Sequence, residues 1–314
     1  MTRNRDLLID TLLEPQTTAT LDLQQWDTLI RQARASQLLV RLAAYLLESP
    51  QVEKVPSGPR AHLESILRLR DHQRSAVRNE VAHLLLACEQ VSVPLVLLKG
   101  AAYEMADLPP GRCRIYSDLD LLVSRADIQT LETALMTHGW SSGHQSAYDQ
   151  KYYRTWMHEL PPMRHITRHS VIDVHHNLVP DTARMRPDPA KLLSARVACS
   201  KAPDVHVLCG EDMILHSAVH LFHDGEFDHA LRDLFDIRDL VEHFMRSDDD
   251  WLALVDRAVA LNLARPLHYA LRYLQRLLRA RIPAQTIAAL RRHGPKGPWL
   301  ALCDQMFERG LTGC

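Results

Sequence analysis

The 314-residue sequence predicts a protein of mixed α and β structure, in which a compact α/β core lies between two helical regions. Apolar residues recur at helical spacing before residue 90 and after residue 211, whereas short apolar runs typical of strands occur between 93 and 176. The chain also contains only 11 glycines, about half the usual share of roughly 7%. This scarcity argues against Gly-rich loops and many-turned all-β folds.

The first 90 residues are predicted to form helices. Trp26 and Leu29 belong to an apolar face with helical spacing, and a Leu- and Ala-rich segment follows at 38–47. Prolines interrupt the pattern between 50 and 59. A second helix then continues towards residue 86, with Leu63 on its apolar face and its arginines on a face predicted to be solvent-exposed.

The pattern changes at residue 93. Apolar runs predict buried strands at 93–100, 117–123 and 170–176. Between them, one helix is predicted at 101–108 and another begins near 124 and ends at Gly139. Strand, helix, strand, helix, strand together make an α/β core of about 110 residues.

Helical periodicity returns near residue 211 and continues to the end of the chain. We therefore predict three regions: an N-terminal helical region at 1–92, an α/β core at 93–210 and a C-terminal helical region at 211–314. The helices of the last region are predicted at 211–223, 228–245, 250–262, 265–280, 283–293 and 298–309.

Charge and composition exclude several classes of protein. The formal net charge is −1, so the broad electrostatic attraction needed for general nucleic-acid binding is missing. No signal peptide or membrane span is recognisable. The six cysteines are scattered without a CxxC pair, which predicts reduced thiols and a cytoplasmic protein.

Three acids in predicted strands are the best candidates for chemistry. Asp118 and Asp120 are two residues apart, so on one strand they share a face about 6–7 Å apart, with leucines on the other. Asp173 lies in a further strand, with His175 on its face. Three carboxylates can hold two Mg²⁺ ions for phosphoryl transfer. The alternative is an exposed strand end where the acids face water.

The segments around these acids resemble one enzyme superfamily. Residues 97–100 read LLKG, residues 114–123 read RIYSDLDLLV and residues 172–175 read IDVH. Together they resemble the DNA-polymerase-β-type nucleotidyltransferase superfamily, and specifically an uncharacterised bacterial branch with the pattern LKG…RxxSDLDLLV…IDVH. The resemblance implies an α+β fold with a small mixed β-sheet flanked by N- and C-terminal helical regions.

The same resemblance implies a reaction and its metal ligands. Asp118 and Asp120 would be paired ligands of Mg²⁺, with Mn²⁺ as the alternative ion, and Asp173 would be the third catalytic acid. The enzyme would transfer a nucleoside monophosphate from an NTP to a hydroxyl-type acceptor and release pyrophosphate. Its partners would be the NTP and an unidentified acceptor, either a small molecule or a protein.

One departure from the superfamily concerns the phosphates. The superfamily usually carries Gly-Ser at its first motif, whereas this chain has Gly100 and Ala101 and lacks the hydroxyl. Lys99 and Arg114 are the candidates to contact phosphates instead. The alternatives are a surface cation at a strand end for Lys99 and an ion pair with an acid for Arg114. The remaining candidate nucleotide-binding residues are Ser117, His175 and His220.

The predicted helix at 211–223 carries His216, His220 and His223 on one face. This face suits either a metal or a partly buried polar seam beside the active site. By resemblance, His220 would face the nucleotide or acceptor, and Asp236 would be the acid of the following helix. A contact between an acid and a histidine that fixes the two helices is the alternative to a chemical role.

Two further functions remain open at this point. An HD-type metal-dependent phosphohydrolase would use His175 or His176, the dipeptide His223-Asp224, and Asp233 or Asp236. It leaves the two acids of the 117–123 strand unexplained. The other alternative is a catalytically decayed nucleotide-binding or partner-binding module, for which the missing serine is the argument.

Overall fold

The computed structural model describes residues 7–143, 153, 156–223 and 227–312. It shows one seven-stranded mixed β-sheet with helices on either side of it in the sequence. All the strands lie between residues 95 and 207. The predicted α+β fold is therefore confirmed. Within the residues described, no helix combines the length and apolar character needed to cross a membrane.

Helices dominate both ends of the described chain. Before the first strand come α1 (Leu7–Leu13), α2 (Leu23–Ala35), α3 (Leu39–Leu47) and α4 (Ser57–Gln90). Among the strands lie α5 (Lys99–Met105), α6 (Pro109–Arg112), α7 (Ile128–Thr137) and α8 (Pro189–Ser194). After the last strand come α9 (Gly210–His223), α10 (Ala230–Phe244), α11 (Asp248–Ala260), α12 (Ala264–Leu278), α13 (Ala284–Leu290) and α14 (Pro298–Thr312).

The strands are short, and several are only two or three residues long. They are β1 (Leu95–Leu98), β2 (Leu119–Leu122), β3 (Trp140–Ser141), β4 (Met163–His165), β5 (Val171–His175), β6 (Val197–Cys199) and β7 (Ala202–Val207). Their order in the sheet is β3-β4-β5-β2-β1-β7-β6. The three strands predicted from apolar runs are therefore adjacent at the centre. The outer four were not predicted: three of them have only two or three residues, and the six residues of β7 form no apolar run.

The central strands run in both directions. β1 is antiparallel to β2 and parallel to β7, while β2 is parallel to β5. All four residues of β1 and of β2 are buried, because helices and neighbouring strands cover both faces. This doubly buried centre explains why its strands read as continuous apolar runs.

Two predicted element boundaries were wrong in ways that matter for the site. The predicted strand 117–123 is observed only at Leu119–Leu122, so Asp118 lies immediately before β2 and not within it. The prolines at 109 and 110 do not merely end a helix. They begin the short helix α6, because proline has no N–H to lose at a helix start.

The arginines of α4 were predicted to face solvent, and for two of them this was wrong. Arg70 exposes only 8% of its side chain and binds Glu48 and Asp71. Arg74 donates to Glu104 of α5 at 2.7 Å, and the Glu104 side chain is fully buried. Glu48 and Glu104 are distant in sequence from these arginines, so helical periodicity alone gave no sign of the two contacts.

A buried arginine connects the N-terminal helices to the C-terminal ones. Arg41 of α3 is completely buried, with one nitrogen 2.8 Å from Asp236 Oδ1 and another 2.6 Å from Asp239 Oδ2. Both acids lie on α10. The second oxygen of Asp236 accepts from Arg114 at 3.0 Å. Asp236 therefore joins α3, α10 and the segment that leads into β2.

We expect Arg41→Met to destabilise the protein by about 3–5 kcal/mol, because it leaves buried carboxylates without their cation. Urea unfolding followed by circular dichroism measures this change. Arg31→Ala is the matched control, since Arg31 pairs with Asp27 while exposing 71% of its side chain, and it should change stability by less than about 0.5 kcal/mol. Equal effects of the two substitutions would contradict this role for Arg41.

Candidate active site

Strand register places two of the predicted acids side by side. In the parallel pair β2 and β5, Asp120 is the direct partner of Asp173. Neighbouring strands lie about 4.8 Å apart, and paired residues direct their side chains to the same face. Asp118 is half-buried two residues before Asp120. The sequence predicted these acids from their alternation within strands, and the strand pairing now supplies their proximity.

Asp120 is buried and bound by two cationic or hydrogen-bonding groups. Its Oδ1 atom lies 3.0 Å from Lys99 Nζ and 3.0 Å from His175 Nε2. Burial alone would raise the pKa of Asp120, but the charge of Lys99 and the hydrogen bond with His175 outweigh burial and hold that pKa well below its usual range. Asp120 is therefore a carboxylate at any physiological pH.

Asp173 has the opposite environment although it lies next to Asp120. Its Oδ1 atom is buried and has no hydrogen-bond partner among the residues that the structure describes. Burial, together with the negative charges of Asp120 and Glu159, raises the pKa of Asp173 to about 7. Asp118 contributes to the same shift. Two neighbouring carboxyl groups therefore differ strongly in their affinity for a proton.

This arrangement fits a divalent cation. A buried carboxylate oxygen without a partner is costly unless something binds it. Asp118, Asp120 and Asp173 offer the oxygen ligands that Mg²⁺ and Mn²⁺ prefer. A cation among them would remove the repulsion that raises the pKa of Asp173. Their assignment as metal ligands remains a prediction that this geometry supports.

The turn from β1 into α5 positions Lys99. Its φ angle is 45°, in the left-handed region that residues other than glycine rarely adopt. Gly100 follows, and a Cβ atom there would lie only 3.3 Å from Arg114 Nε and 3.2 Å from Tyr116 Cδ1. A side chain at position 100 would therefore make Tyr116 and Arg114 move by a few tenths of an ångström. Ala101 is buried in the first turn of α5.

A cavity of about 380 Å³ opens beside Asp118. Ser117 and Asp118 line it from the start of β2, and α4 contributes Glu80 from another side. The Ser117 hydroxyl donates to Asp118 Oδ1 at 2.8 Å. Glu80 accepts two hydrogen bonds from Arg168, at 2.8 and 3.0 Å. Polar groups on several elements therefore converge next to the acids.

Comparison with known proteins gives a family for this arrangement. Residues 22–279 match the sequence profile of a family described as uncharacterised nucleotidyltransferases. The chain belongs to this family. The matched range includes all seven strands and the three acids, which agrees with the superfamily resemblance of the motifs. No curated protein matches the chain significantly.

A second pocket lies where α5, α9 and α10 meet. Lys99, Arg114 and Arg232 line it together with His220. Three of these side chains are Lys or Arg, the residue types that contact phosphates, and two acids, Asp233 and Asp236, line the same pocket. Arg232 was not predicted from the sequence, because an isolated arginine on a helix is usually a surface residue.

The acids of α10 hold these cations in place. Arg114 pairs with Asp236, which is the alternative that the sequence left open for Arg114. Arg232 lies 2.7 Å from Asp233 Oδ1, and His220 Nδ1 lies 3.5 Å from Asp233 Oδ2. Asp233, not Asp236, is thus the acid that contacts the predicted histidine. This contact fixes α9 against α10.

The helix histidines differ in burial. His216 is buried, and burial lowers its pKa well below the usual range, with Lys99 and His220 acting in the same direction. His220 is partly exposed. Within the described part of the chain, the potential metal-binding cluster is a different one, formed by His158, Glu159 and His175. The histidine face of α9 therefore fits the predicted polar seam beside the active site and not the other expectation, a metal site on this helix.

Sequence reasoning missed Glu159 and His158. They lie in a stretch of 157–160 without strand or helix periodicity. Glu159 forms an isolated β-bridge with His175, and its Oε2 atom lies 3.2 Å from His175 Nδ1. Only the tertiary structure brings these residues to the end of β5, so no local signal could have identified them.

The arrangement required for an HD-type phosphohydrolase is not assembled among the described residues. His175 contacts Asp120 and Glu159, whereas Asp233 contacts Arg232 and His220. Asp224, the acid of the proposed His-Asp dipeptide, lies outside the described residues. His175 thus belongs with the strand acids that this alternative left unexplained.

The raised pKa of Asp173 predicts a pH-dependent stability in metal-free protein. Between its ordinary pKa of 3.8 and its folded pKa of about 7, the folded state binds more protons than the unfolded state, so stability is lost as pH rises. We expect the free energy of unfolding of the wild type, relative to Asp173→Asn, to fall by on the order of 2 kcal/mol from pH 5 to pH 8. Denaturant titrations with a chelator present measure this, and parallel pH profiles for the two proteins would refute it.

Proposed function

We propose that this protein is a divalent-metal-dependent nucleotidyltransferase that transfers a nucleoside monophosphate from an NTP to a hydroxyl-type acceptor and releases pyrophosphate. The observation that carries the proposal is the buried, unpartnered oxygen of Asp173 next to Asp120. Asp118, Asp120 and Asp173 would hold Mg²⁺ or Mn²⁺. When bound, the metal supplies positive charge to the α-phosphate and to the leaving pyrophosphate.

The residues of the chain suggest how the acceptor is activated. The acceptor oxygen attacks the α-phosphorus, the bond between the α-phosphorus and the bridging oxygen breaks, and pyrophosphate leaves. The hydroxyl proton would pass to Asp173. Carboxylates are common general bases, and Asp173 is the direct strand partner of Asp120 in the proposed site.

Lys99 has two roles in this proposal. In the metal-free protein its Nζ atom neutralises Asp120 from 3.0 Å. A metal ion on Asp120 would take over that neutralisation. Lys99 would then contact the triphosphate from the pocket that it shares with Arg114 and Arg232. This compensates for the serine hydroxyl that Ala101 lacks.

The direct test is transfer of label from each α-³²P-labelled NTP, with Mg²⁺ or Mn²⁺ and a cell extract as the source of acceptor. We expect Asp120→Asn to reduce transfer by at least about 100-fold, since it removes charge from the centre of the site. Asp204→Asn, a change of the same chemistry at an exposed position on β7, should leave transfer unchanged.

Unchanged transfer by Asp120→Asn would contradict the assignment. Calorimetry separates the remaining alternatives: a decayed partner-binding module would bind neither NTP nor Mg²⁺, whereas a decayed nucleotide-binding module would bind NTP and transfer no label. The labelled product, once isolated, identifies the acceptor as a small molecule or a protein.

Lys99→Met should have opposite effects on the two ligands. We expect tighter Mg²⁺ binding without NTP, because no ammonium group competes for Asp120, and NTP binding weaker by about 10–100-fold, because one charge-assisted contact is lost. Isothermal titration of Mg²⁺ and then of a non-hydrolysable NTP measures both. Lys201→Met is the control, since Lys201 is exposed and pairs with Asp107. Weakening of both ligands by Lys99→Met would exclude competition between Lys99 and the metal.

A further inference from the structure

His158, Glu159 and His175 form a cluster of metal-ligating side chains beside the three acids. One ligand atom from each residue lies within 4.8 Å of the other two. Pairing with β5 fixes the backbone of this cluster. Glu159 bridges to His175, and the amide of His176 donates to the carbonyl of His158 at 2.8 Å. The cluster is therefore built on a strand and not on a free loop.

His175 has a carboxylate at each ring nitrogen. Nε2 lies 3.0 Å from Asp120 Oδ1, and Nδ1 lies 3.2 Å from Glu159 Oε2. A neutral imidazole has one N–H and one lone pair. If Nε2 donates to Asp120, the lone pair of Nδ1 faces the carboxylate oxygen of Glu159. A cation between Nδ1 and Oε2 would turn this repulsion into coordination.

This pattern is common around protein-bound metals, where a ligating histidine donates its other N–H to a carboxylate. Here the carboxylate would be Asp120. A metal on Nδ1 would thus fix the ring of His175 and, through Nε2, the orientation of Asp120.

The third member of the cluster has an unsatisfied nitrogen. His158 Nδ1 is buried and has no hydrogen-bond partner, and the rings of His158 and His175 are 5.3 Å apart between centroids. Two imidazoles and one carboxylate are a donor set typical of Zn²⁺ sites. Bonds of about 2.0–2.1 Å place tetrahedral ligands roughly 3.3 Å apart, close to the 3.2 Å between Nδ1 of His175 and Oε2 of Glu159.

We propose that His158, Glu159 and His175 form a second metal site, selective for a divalent transition metal of the Zn²⁺ type and distinct from the oxygen site of Asp118, Asp120 and Asp173. Nitrogen donors favour such an ion over Mg²⁺. This site does not depend on the proposed reaction, since it is defined by metal binding alone. Its effect on the neighbouring acids is to hold Asp120 through His175.

The test is titration of the full-length protein with Zn²⁺ in the presence of excess Mg²⁺, followed by Co²⁺ as a spectroscopic probe. The wild type should bind one Zn²⁺ with high affinity, and Co²⁺ should give the intense visible absorption of a four-coordinate site with nitrogen ligands. We expect His158→Ala and Glu159→Gln to weaken Zn²⁺ binding more than tenfold. His83→Ala, at an exposed position on α4, is the control and should bind as the wild type does.

Two further variants separate this site from the oxygen site. Asp118→Asn should keep Zn²⁺ binding while losing nucleotidyl transfer, so failure of the proposed reaction leaves this result unaffected. Asp120→Asn should weaken Zn²⁺ binding about 10–100-fold, as changes in carboxylates behind ligating histidines do.

Thermal unfolding shows whether a loss of Zn²⁺ binding by His158→Ala comes from misfolding and not from the loss of a ligand. Zn²⁺ should raise the melting temperature of the wild type and of His83→Ala, but not that of Glu159→Gln, which preserves the shape of the side chain. Equal Zn²⁺ affinity in the wild type, His158→Ala and Glu159→Gln would overturn the proposal. Displacement of Zn²⁺ by stoichiometric Mg²⁺ would overturn it as well. Either result would mean that His175 only contacts Asp120 and Glu159 and binds no metal.

Discussion

The register between β2 and β5 is the constraint on which the site depends. It places Asp120 beside Asp173 in the buried centre of the sheet, where two carboxylates repel and are poorly solvated. The surroundings of the two acids reduce this repulsion in different ways. Lys99 neutralises Asp120 and His175 lies within hydrogen-bonding distance of it, while Asp173 has no such partner among the described residues and holds a proton more readily. A fold with either acid on the next residue would have avoided the conflict, because that side chain would face the opposite side of the sheet.

Buried ion pairs extend from the site into both helical regions. Asp236 on α10 binds Arg41 of α3 and Arg114, and Arg114 packs against Gly100 at the turn that carries Lys99. A buried pair of this kind contributes little net stability compared with apolar packing, but losing one partner is costly. The network therefore fixes relative positions more than it strengthens the fold. The helices at the two ends of the chain thus help to set the geometry of the pocket that Lys99, Arg114 and Arg232 line.

Sequence patterns predicted the parts of the structure that depend on local periodicity. The long apolar runs revealed β1, β2 and β5, and the helices after residue 211 were found within a few residues. The three acids were selected as candidates because alternation within a strand is a local property, although Asp118 lies just before β2. Partners distant in sequence were not accessible in this way. Lys99 next to Asp120, Arg74 next to Glu104 and Glu159 next to His175 all depend on strand pairing or helix packing.

Lys99 balances the negative charge of Asp120 in the metal-free protein, and in the proposed reaction a metal ion would take its place. Lys99 is held near Asp120 from a left-handed backbone conformation, which costs on the order of 1 kcal/mol and persists only where the surroundings enforce it. A metal at Asp120 would remove the reason for Lys99 to stay there, and the adjoining pocket with Arg114 and Arg232 is where an anion would receive it. Metal binding would then release the ammonium group of Lys99 from Asp120, and the same group would contact a phosphate in the pocket. The missing serine at Ala101 makes this coupling more important, since fewer neutral donors remain to hold a triphosphate.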